Sequence, residues 1–172
     1  MLVVRKEIPE DQDAVYQVVL AAFESADEAD LVNRLRPLPS VISLIAELEG
    51  ELVGHIMFSP VRLIGRNEQP IGINIAGLAP VAVSPNHQKK GIGKRLIIAG
   101  LEACQAAEFV ACVLLGHPDY YPKFGFKPAL PTFNLTSTYK GPDPVFMALE
   151  LIPNSLNTVS GTIHYHSTFA GV

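Results

Sequence analysis

Apolar residues alternate with polar ones, or recur at helical spacing, along most of the chain. Alternation over residues 2–5 predicts a short strand. Helical spacing predicts a helix over residues 11–23 and a second one over residues 27–36, which Pro37 ends because the residue before a proline disfavours helix. The apolar stripe of the first helix consists of Val15, Val18, Val19, Ala22 and Phe23.

The middle of the chain has the pattern of consecutive strands. Residues 43–48 and 52–63 predict two strands joined by a turn at residues 49–50, and residues 71–83 predict a longer strand. Since a proline cannot donate to a β-ladder, Pro80 within this strand predicts a bulge.

One helix and three strands are predicted in the remainder. Apolar residues at helical spacing predict a helix that begins at residues 91–93. Strands are expected over residues 109–115, 145–151 and 162–169, the last of them at the edge of a sheet, with a loop over residues 136–144. Helices that alternate with strands in this way predict an α/β fold.

The junction between the long strand and the following helix predicts a phosphate site. Residues 84–86 break the strand, and Gly91 and Gly93 lie at the start of the helix. A helix start leaves N–H groups unpaired and carries partial positive charge, and glycine lets an anion come close to them. The neighbouring basic residues are Lys89, Lys90, Lys94 and Arg95.

Two common phosphate loops do not match this junction. A Walker loop requires a glycine at Gln88 and a Ser or Thr at Arg95, and a dinucleotide fingerprint requires a glycine at Leu96. What remains is Q-x-x-G-x-G over residues 88–93, directly after the V-A-V of residues 81–83. A plain turn with solvated lysines is the alternative interpretation.

In this strand-loop-helix setting, the motif resembles the Q/R-x-x-G-x-G/A hallmark of the GNAT family of N-acetyltransferases. The resemblance implies a mixed central β-sheet flanked by helices, in which the strands over residues 71–83 and 109–115 splay apart. It also implies acetyl-coenzyme A as cosubstrate, with its pyrophosphate on the loop amides and its pantetheine arm beside the strand. The residues thereby expected to bind the cofactor are Val81, Ala82, Val83, Gln88, Lys89, Lys90, Gly91, Ile92, Gly93 and Lys94. The N–H of Val83 is expected to stabilise negative charge on the thioester oxygen.

A second motif, Y-Y-P-K-F-G-F over residues 120–126, resembles the aromatic-Tyr-x-x-x-Gly-Phe segment of many family members. The doubled tyrosine and Pro122 are most similar to a small bacterial subgroup of predicted acetyltransferases. Tyr121, four residues before Gly125, has the position of the family's general-acid tyrosine. Tyr120 takes that role if the register shifts by one, and a purely structural role for both aromatic rings stays open.

The resemblance does not identify a general base. Family members often use a glutamate on the fourth strand, whereas this strand offers Asn74 and no acid. Three residues are candidates for the acceptor side: Glu28, His55 and His117. A histidine suits proton transfer near neutral pH, but the place of His55 in a strand equally suits a hydrogen-bonded core residue. His117 closes the predicted fifth strand, near the expected thioester.

Glu28 belongs to an acidic run in the region where the family's early helices cover the acceptor site. The run consists of Glu24, Asp27, Glu28 and Asp30. Such a cluster could attract a cationic amine, and a solvated helix face is the alternative.

Composition limits the class of protein. With 172 residues, 48% of them hydrophobic, the chain is expected to form one domain over residues 1–172. A net charge of −4 argues against nucleic acid as a partner. Without a segment of about 20 apolar residues or a signal-peptide pattern, a cytoplasmic protein with no membrane partner is expected.

Cysteines and histidines do not suggest a metal site. Cys104 and Cys112 are expected to be reduced core thiols. His164 and His166 would share one strand face, but no third ligand is evident, so they are interpreted as surface histidines and no metal is predicted.

Together these expectations describe an enzyme that moves an acetyl group from acetyl-coenzyme A to the amine of a small molecule or peptide. A homodimer is compatible with them. The alternative is a non-catalytic regulatory module that binds acyl-coenzyme A, because the strand-four glutamate is missing.

Overall fold

The structure is a computed structural model that describes residues 1–139 and 145–170. Contacts divide the chain into two compact units, each built from segments that are separated in sequence. The first unit consists of Met1–Ser59, Leu78–Ala103 and the residues from Ser167, and the second of Pro60–Gly77 and Cys104–His166. The single domain expected from the sequence stays a prediction.

The first unit contains most of the elements from the first two thirds of the chain. They are β1 (Leu2–Lys6), α1 (Gln12–Phe23), α2 (Ala26–Leu35), β2 (Ile42–Leu48), β3 (Glu51–Ile64) as far as Ser59, β4 (Pro70–Val83) from Leu78, and α3 (Ile92–Ala106) as far as Ala103. β2 is antiparallel to both β1 and β3, and the turn between β2 and β3 has positive φ at Glu49 and Gly50. The predicted helices and strands of this part are confirmed to within one residue.

Two short helices bury their apolar faces in the core of the first unit. Val15, Val18 and Val19 of α1 are buried, as the stripe predicts. Phe23 is 39% exposed, so its place in the stripe was wrong. The reason is that α1 ends there: Glu24 has φ 54°, in the left-handed region.

Small residues let α3 lie close to β3. A Cβ on Gly100 of α3 would be 2.4 Å from the ring of Phe58, and one on Gly54 of β3 would be 2.9 Å from Leu96. A side chain at position 100 would therefore force the ring of Phe58 or the helix to move, whereas at position 54 the flexible end of Leu96 would have to shift. The packing fixes where the first turn of α3 lies.

The second unit is built around β5. Its own elements are β5 (Ala111–Gly116), β6 (Lys127–Pro128), α4 (Ala129–Phe133), β7 (Leu135–Ser137), β8 (Val145–Glu150) and β9 (Gly161–His164). β5 is parallel to β4 and antiparallel to β8, which confirms the mixed sheet. β4 continues through Pro80, and the bulge expected there stays a prediction.

The C-terminal part differs from the predictions. β9 ends at His164, and residues Ser167–Phe169 form a 3₁₀ turn, so the strand predicted over 162–169 is too long. β9 pairs with both β3 and β7, which makes it an interior strand. The alternation was misleading because Ile163 belongs to the core of the second unit and Phe169 to that of the first.

Two further expectations fall in this part of the chain. The loop predicted over residues 136–144 begins inside β7, and its residues 140–144 lie outside the described residues. His164 lies in β9 but His166 follows its end, so the two do not share a strand face.

Candidate functional site

The loop after β4 is folded back onto the end of that strand. The N–H of Ser84 donates to the carbonyl of Val53 on β3 at 2.8 Å, and residues Pro85–His87 form a 3₁₀ turn. The side-chain amide of Gln88 then donates to the carbonyl of Val83 at 3.0 Å. The first residue of the Q-x-x-G-x-G motif therefore braces the loop, and this contact of its side chain is with the protein's own backbone.

The first turn of α3 has the geometry of an anion site. Lys89 and Gly91 have positive φ, at 62° and 82°, and α3 begins at Ile92. The N–H of Arg95 donates to the carbonyl of Gly91, so the helical ladder starts with Arg95. The N–H groups in the preceding turn have no intrahelical acceptor, as at every helix start.

Gly91 leaves room for a ligand beside these N–H groups. A Cβ built on it would meet no atom within 4 Å, so open space lies where a side chain would be. Ile92 by contrast points inward, being 4% exposed and close to Gly54. The residues present thus match a phosphate group: a backbone cradle on the outside and an apolar anchor beneath it.

Basic side chains surround this cradle. Lys89, Lys90, Lys94 and Arg95 are exposed. Within residues 1–139 and 145–170, none of the four forms an ion pair. Their charge is therefore available to an incoming anion, although salt screens exposed charges.

The described hydrogen-bonded ladder between β4 and β5 ends before β4 reaches the cradle. β4 pairs with β5 at Ile75, Ala76 and Gly77, and the described ladder stops there. Residues Val81, Ala82 and Val83 lie beyond it, with Ala82 buried and the two valines half-buried. A strand segment that lies beyond its described ladder with β5 can form strand-like hydrogen bonds with the amide groups of an extended ligand.

Tyr121 opens a short 3₁₀ turn, Tyr121–Phe124, in the second unit. Its ring packs edge to face against Tyr120 and Phe126, with centroids 5.0 and 6.0 Å away. Burial, with smaller contributions from Tyr120 and Cys112, raises the pKa of Tyr121 to about 12. At neutral pH the hydroxyl therefore keeps its proton.

Tyr120 has a different environment. The ammonium group of Lys123 lies 3.9 Å from the centroid of its ring, a cation–π contact. Burial raises the pKa of Tyr120 as well. The rings of Tyr120 and Tyr121 thus belong to one aromatic cluster. A purely structural role for both rings, the alternative interpretation of the motif, would give the same arrangement.

Glu28 is the member of the acidic run with unmet hydrogen-bonding capacity. Its spacing from Ser25 matches a capping box, yet Ser25 accepts its hydrogen bond from the N–H of Asp27. Oε2 of Glu28 is buried, and it has no hydrogen-bond partner among the residues that the structure describes. Asp30 is instead engaged by the hydroxyl of Tyr16 at 3.0 Å, and Glu24 and Asp27 are exposed.

His55 lies in a buried hydrogen-bonded chain. Its Nε2 is 2.8 Å from Oγ of Ser43, which donates to Glu7 at 2.5 Å, and Glu7 also pairs with Arg36. Burial, together with the charge of Arg36, lowers the pKa of His55 to about 4, against the opposing effect of Glu7. This arrangement favours the core interpretation of His55 over a role in proton transfer.

His117 and the cysteines complete the sequence candidates. His117 is exposed, and its carbonyl accepts from the N–H of Tyr120 at 3.2 Å. Cys104 and Cys112 are buried thiols, as expected, and burial raises the pKa of Cys104 to about 12. Among the described residues there is no cluster of three or more metal-ligating side chains. Likewise, no helix in the described part of the chain is long and apolar enough to cross a membrane.

One residue of the site was missed from the sequence. Gly116 ends β5 in contact with the ring of Tyr121, where a Cβ would be 2.3 Å from Cε2. A glycine that closes an apolar strand shortly before a tyrosine pair was the only signal, and it does not reveal which ring approaches the backbone.

Comparison with known proteins gives consistent results. The family model described as the acetyltransferase (GNAT) family matches residues 12–126. The uncharacterized N-acetyltransferase YhbS of Escherichia coli strain K12 is 32% identical over 170 residues, which cover 98% of both chains.

Solved structures agree with this match. The crystal structure of YhbS from Escherichia coli in complex with coenzyme A has a TM-score of 0.85 and 31% identity, covering 98% of this chain and 91% of that one. A GNAT acetyltransferase from Brucella melitensis in complex with acetyl-coenzyme A has a TM-score of 0.77 and 34% identity, covering 98% of each chain. This chain therefore belongs to the GNAT family of acetyltransferases, which confirms the expected fold and enzyme class.

Proposed function

We propose that this protein transfers the acetyl group of acetyl-coenzyme A to the amine of a cationic small molecule or peptide. Acetyl-coenzyme A is the cosubstrate of the family, and the two similar structures hold coenzyme A and acetyl-coenzyme A. The observation that carries the proposal is the cradle at Gly91, where a helix start, a positive φ and open space coincide.

The loop and the first turn of α3 would hold the pyrophosphate. The N–H groups of Gly91, Ile92, Gly93 and Lys94 would donate to it, because N–H groups at a helix start lack intrahelical acceptors and favour an anion. Lys89 and Lys90 add positive charge at the rim, where they are exposed. Gln88 contributes by keeping the loop folded onto Val83.

The end of β4 would guide the pantetheine arm. The ladder with β5 stops at Gly77, which supports pairing between the backbone of residues 81–83 and the amides of the ligand. Acetyl-coenzyme A, when bound, supplies an activated thioester. We propose that the N–H of Val83 donates to its carbonyl oxygen as negative charge develops, an interaction worth about 3 kcal/mol in comparable sites.

Tyr121 would donate a proton to the leaving sulfur. Because its pKa is raised to about 12, the hydroxyl is fully protonated at neutral pH and available as a donor. Tyr120 is the alternative donor, but its ring carries the cation–π contact with Lys123. The support for Tyr121 is its burial within the aromatic cluster, which fixes the direction of the ring.

Glu28 would bind the acceptor amine. A buried carboxylate oxygen without a partner is costly, and a cationic group that reaches it recovers that cost. The amine must lose a proton before it attacks. Since β4 carries Asn74 and no acid, Glu28 and the exposed His117 are the two proposed proton acceptors.

The proposal is tested by incubating the protein with acetyl-coenzyme A and a panel of cationic and neutral amines. Free thiol measures turnover, and mass spectrometry identifies the acetylated amine. We expect turnover with cationic amines, and Gly91→Val should raise the concentration of acetyl-coenzyme A that this turnover requires by at least about tenfold. Tight cofactor binding without turnover on any amine would instead indicate the non-catalytic module.

A further inference from the structure

Tyr121 lies unusually close to the backbone of Gly116, the last residue of β5. A Cβ on Gly116 would be 2.3 Å from Cε2 and 2.7 Å from Cδ2 of the tyrosine ring. Carbon atoms in contact are about 3.5–4.0 Å apart. With any other residue at position 116, the ring would therefore have to move by about 1 Å or more.

The requirement for glycine arises from the ring and not from the backbone. Gly116 is not among the glycines with positive φ, so its conformation is open to other residues. The added Cβ would also be 3.1 Å from Leu114, but that atom is the end of a flexible side chain. The ring of Tyr121 is thus the main obstacle.

Three further aromatic rings limit where the half-buried side chain of Tyr121 can move. Tyr120, Phe126 and Phe124 surround it with centroids at 5.0, 6.0 and 6.4 Å. The turn that carries Tyr121 is held by Gly125, whose N–H donates to the carbonyl of Pro122. A ring displaced from Gly116 cannot return to the same place by a small rotation, and its hydroxyl moves with it.

We propose that Gly116 is a positioning residue that sets the place of the Tyr121 hydroxyl for proton donation. The inference rests on Tyr121 being the proton donor of the proposed function. A displacement of about 1 Å at a catalytic group can cost about 10²-fold in rate. Because Gly116 would act through the position of Tyr121, its effect is expected on the rate of the chemical step rather than on cofactor affinity.

A double-mutant cycle tests this role. Gly116→Ala should lower kcat by about 10- to 100-fold and leave the Kd for acetyl-coenzyme A within about twofold. In the Tyr121→Phe background the same change should cost nothing further, because the hydroxyl is already absent. Gly72→Ala is the matched control, since Gly72 is an exposed strand glycine with no atom within 4 Å of its Cβ position. Unchanged kcat in Gly116→Ala, or losses that multiply in the double variant, would overturn the inference.

Folding measurements keep the test decisive if Gly116→Ala is unstable. In the Tyr121→Ala background the ring is absent, so Gly116→Ala should leave Tm unchanged; a fall in Tm there would show that the ring is not the obstacle, against the inference. Because the chain has no tryptophan, near-ultraviolet circular dichroism reports the tyrosine rings, and Gly116→Ala should alter the part of the spectrum that Tyr121→Phe removes. Failure of the proposed function gives different results: the parent protein would acetylate no amine, or Tyr121→Phe alone would keep full turnover.

Discussion

The side-chain amide of Gln88 donates a hydrogen bond of 3.0 Å to the carbonyl oxygen of Val83. This solvent-exposed bond ties the loop between β4 and α3 to the end of β4. The glutamine of the motif therefore helps to shape the loop. The family resemblance implies in addition that it lies near the pyrophosphate.

Replacing Gln88 by leucine should therefore loosen the cradle without removing charge. The loss of one such hydrogen bond is worth about 0.5–1.5 kcal/mol, so we expect the Kd for acetyl-coenzyme A to rise about 2- to 10-fold. Calorimetry at low and high salt should show the same ratio, since no charge changes. Lys90→Ala is the contrast, because its effect should shrink as salt increases. A salt-dependent effect of Gln88→Leu would contradict the bracing role.

Gly91 should be the least replaceable residue of the cradle. Gly91→Val is expected to weaken binding of acetyl-coenzyme A by at least about tenfold, or about 1.4 kcal/mol, because its side chain fills the space beside the N–H groups. Gly50→Val is a matched control: both glycines have φ 82° and open space around the Cβ position, so both variants carry the same backbone strain. Calorimetry should show weakened binding in the first and unchanged binding in the second. Equal affinities in two folded variants would exclude the cradle.

The strand-loop-helix junction at residues 81–97 agrees with its sequence prediction for a physical reason. A strand break, two glycines and the start of an apolar helical stripe are all local, so the spacing of residues 81–97 is enough to find them. The relation between Gly116 and Tyr121 depends instead on where a ring comes to rest after folding. No pattern in the sequence contains that distance.

In the C-terminal part, a local pattern of alternating residues predicted a strand that is too long. Ile163 and Phe169 alternate as a single strand would, but they pack into different cores, and the strand ends between them. Short elements such as α4 and β7 bury few residues and leave little periodicity to detect. Helices α1 and α2 and strands β1 to β4 were therefore predicted to within one residue, whereas α4 and β7 were not predicted.

Neutralising Glu28 should affect the acceptor and spare the cofactor. If its unpartnered Oε2 binds the cationic amine, Glu28→Gln should raise KM for that amine by about tenfold, because a charge-assisted hydrogen bond is lost. The Kd for acetyl-coenzyme A should stay the same. Asp27→Asn, at the exposed neighbouring position, is the control and should leave both constants unchanged. Identical kinetics in Glu28→Gln and the parent protein would contradict a role in acceptor binding and favour the alternative of a solvated helix face.

His55 should make the stability of the protein depend on pH. Its pKa is about 4 in the folded chain and about 6.5 in an unfolded one, so between these values the unfolded chain binds the extra proton. The free energy of unfolding is therefore expected to fall as pH decreases from about 6.5 to about 4, by about 3 kcal/mol in total. In His55→Gln this contribution is absent, because glutamine does not titrate. Chemical denaturation across this range should give a steeper pH dependence for the parent protein, and parallel curves would refute the role of His55.

The hydroxyl of Tyr121 should matter for turnover and for nothing else. Tyr121→Phe keeps the ring and its aromatic contacts, so Tm and the Kd for acetyl-coenzyme A should be preserved, while kcat should fall by about 10²- to 10⁴-fold. Since burial raises the pKa of this phenol to about 12, it does not lose its proton in the alkaline range where activity can be assayed. Deprotonation of Tyr121 should therefore cause no fall in kcat at alkaline pH. Any alkaline decline in the parent protein should persist in Tyr121→Phe. Tyr120→Phe is the control for the neighbouring ring, and its kcat should stay close to the parent value. A reversal of the two effects, measured where chemistry limits the rate, would make Tyr120 the proton donor.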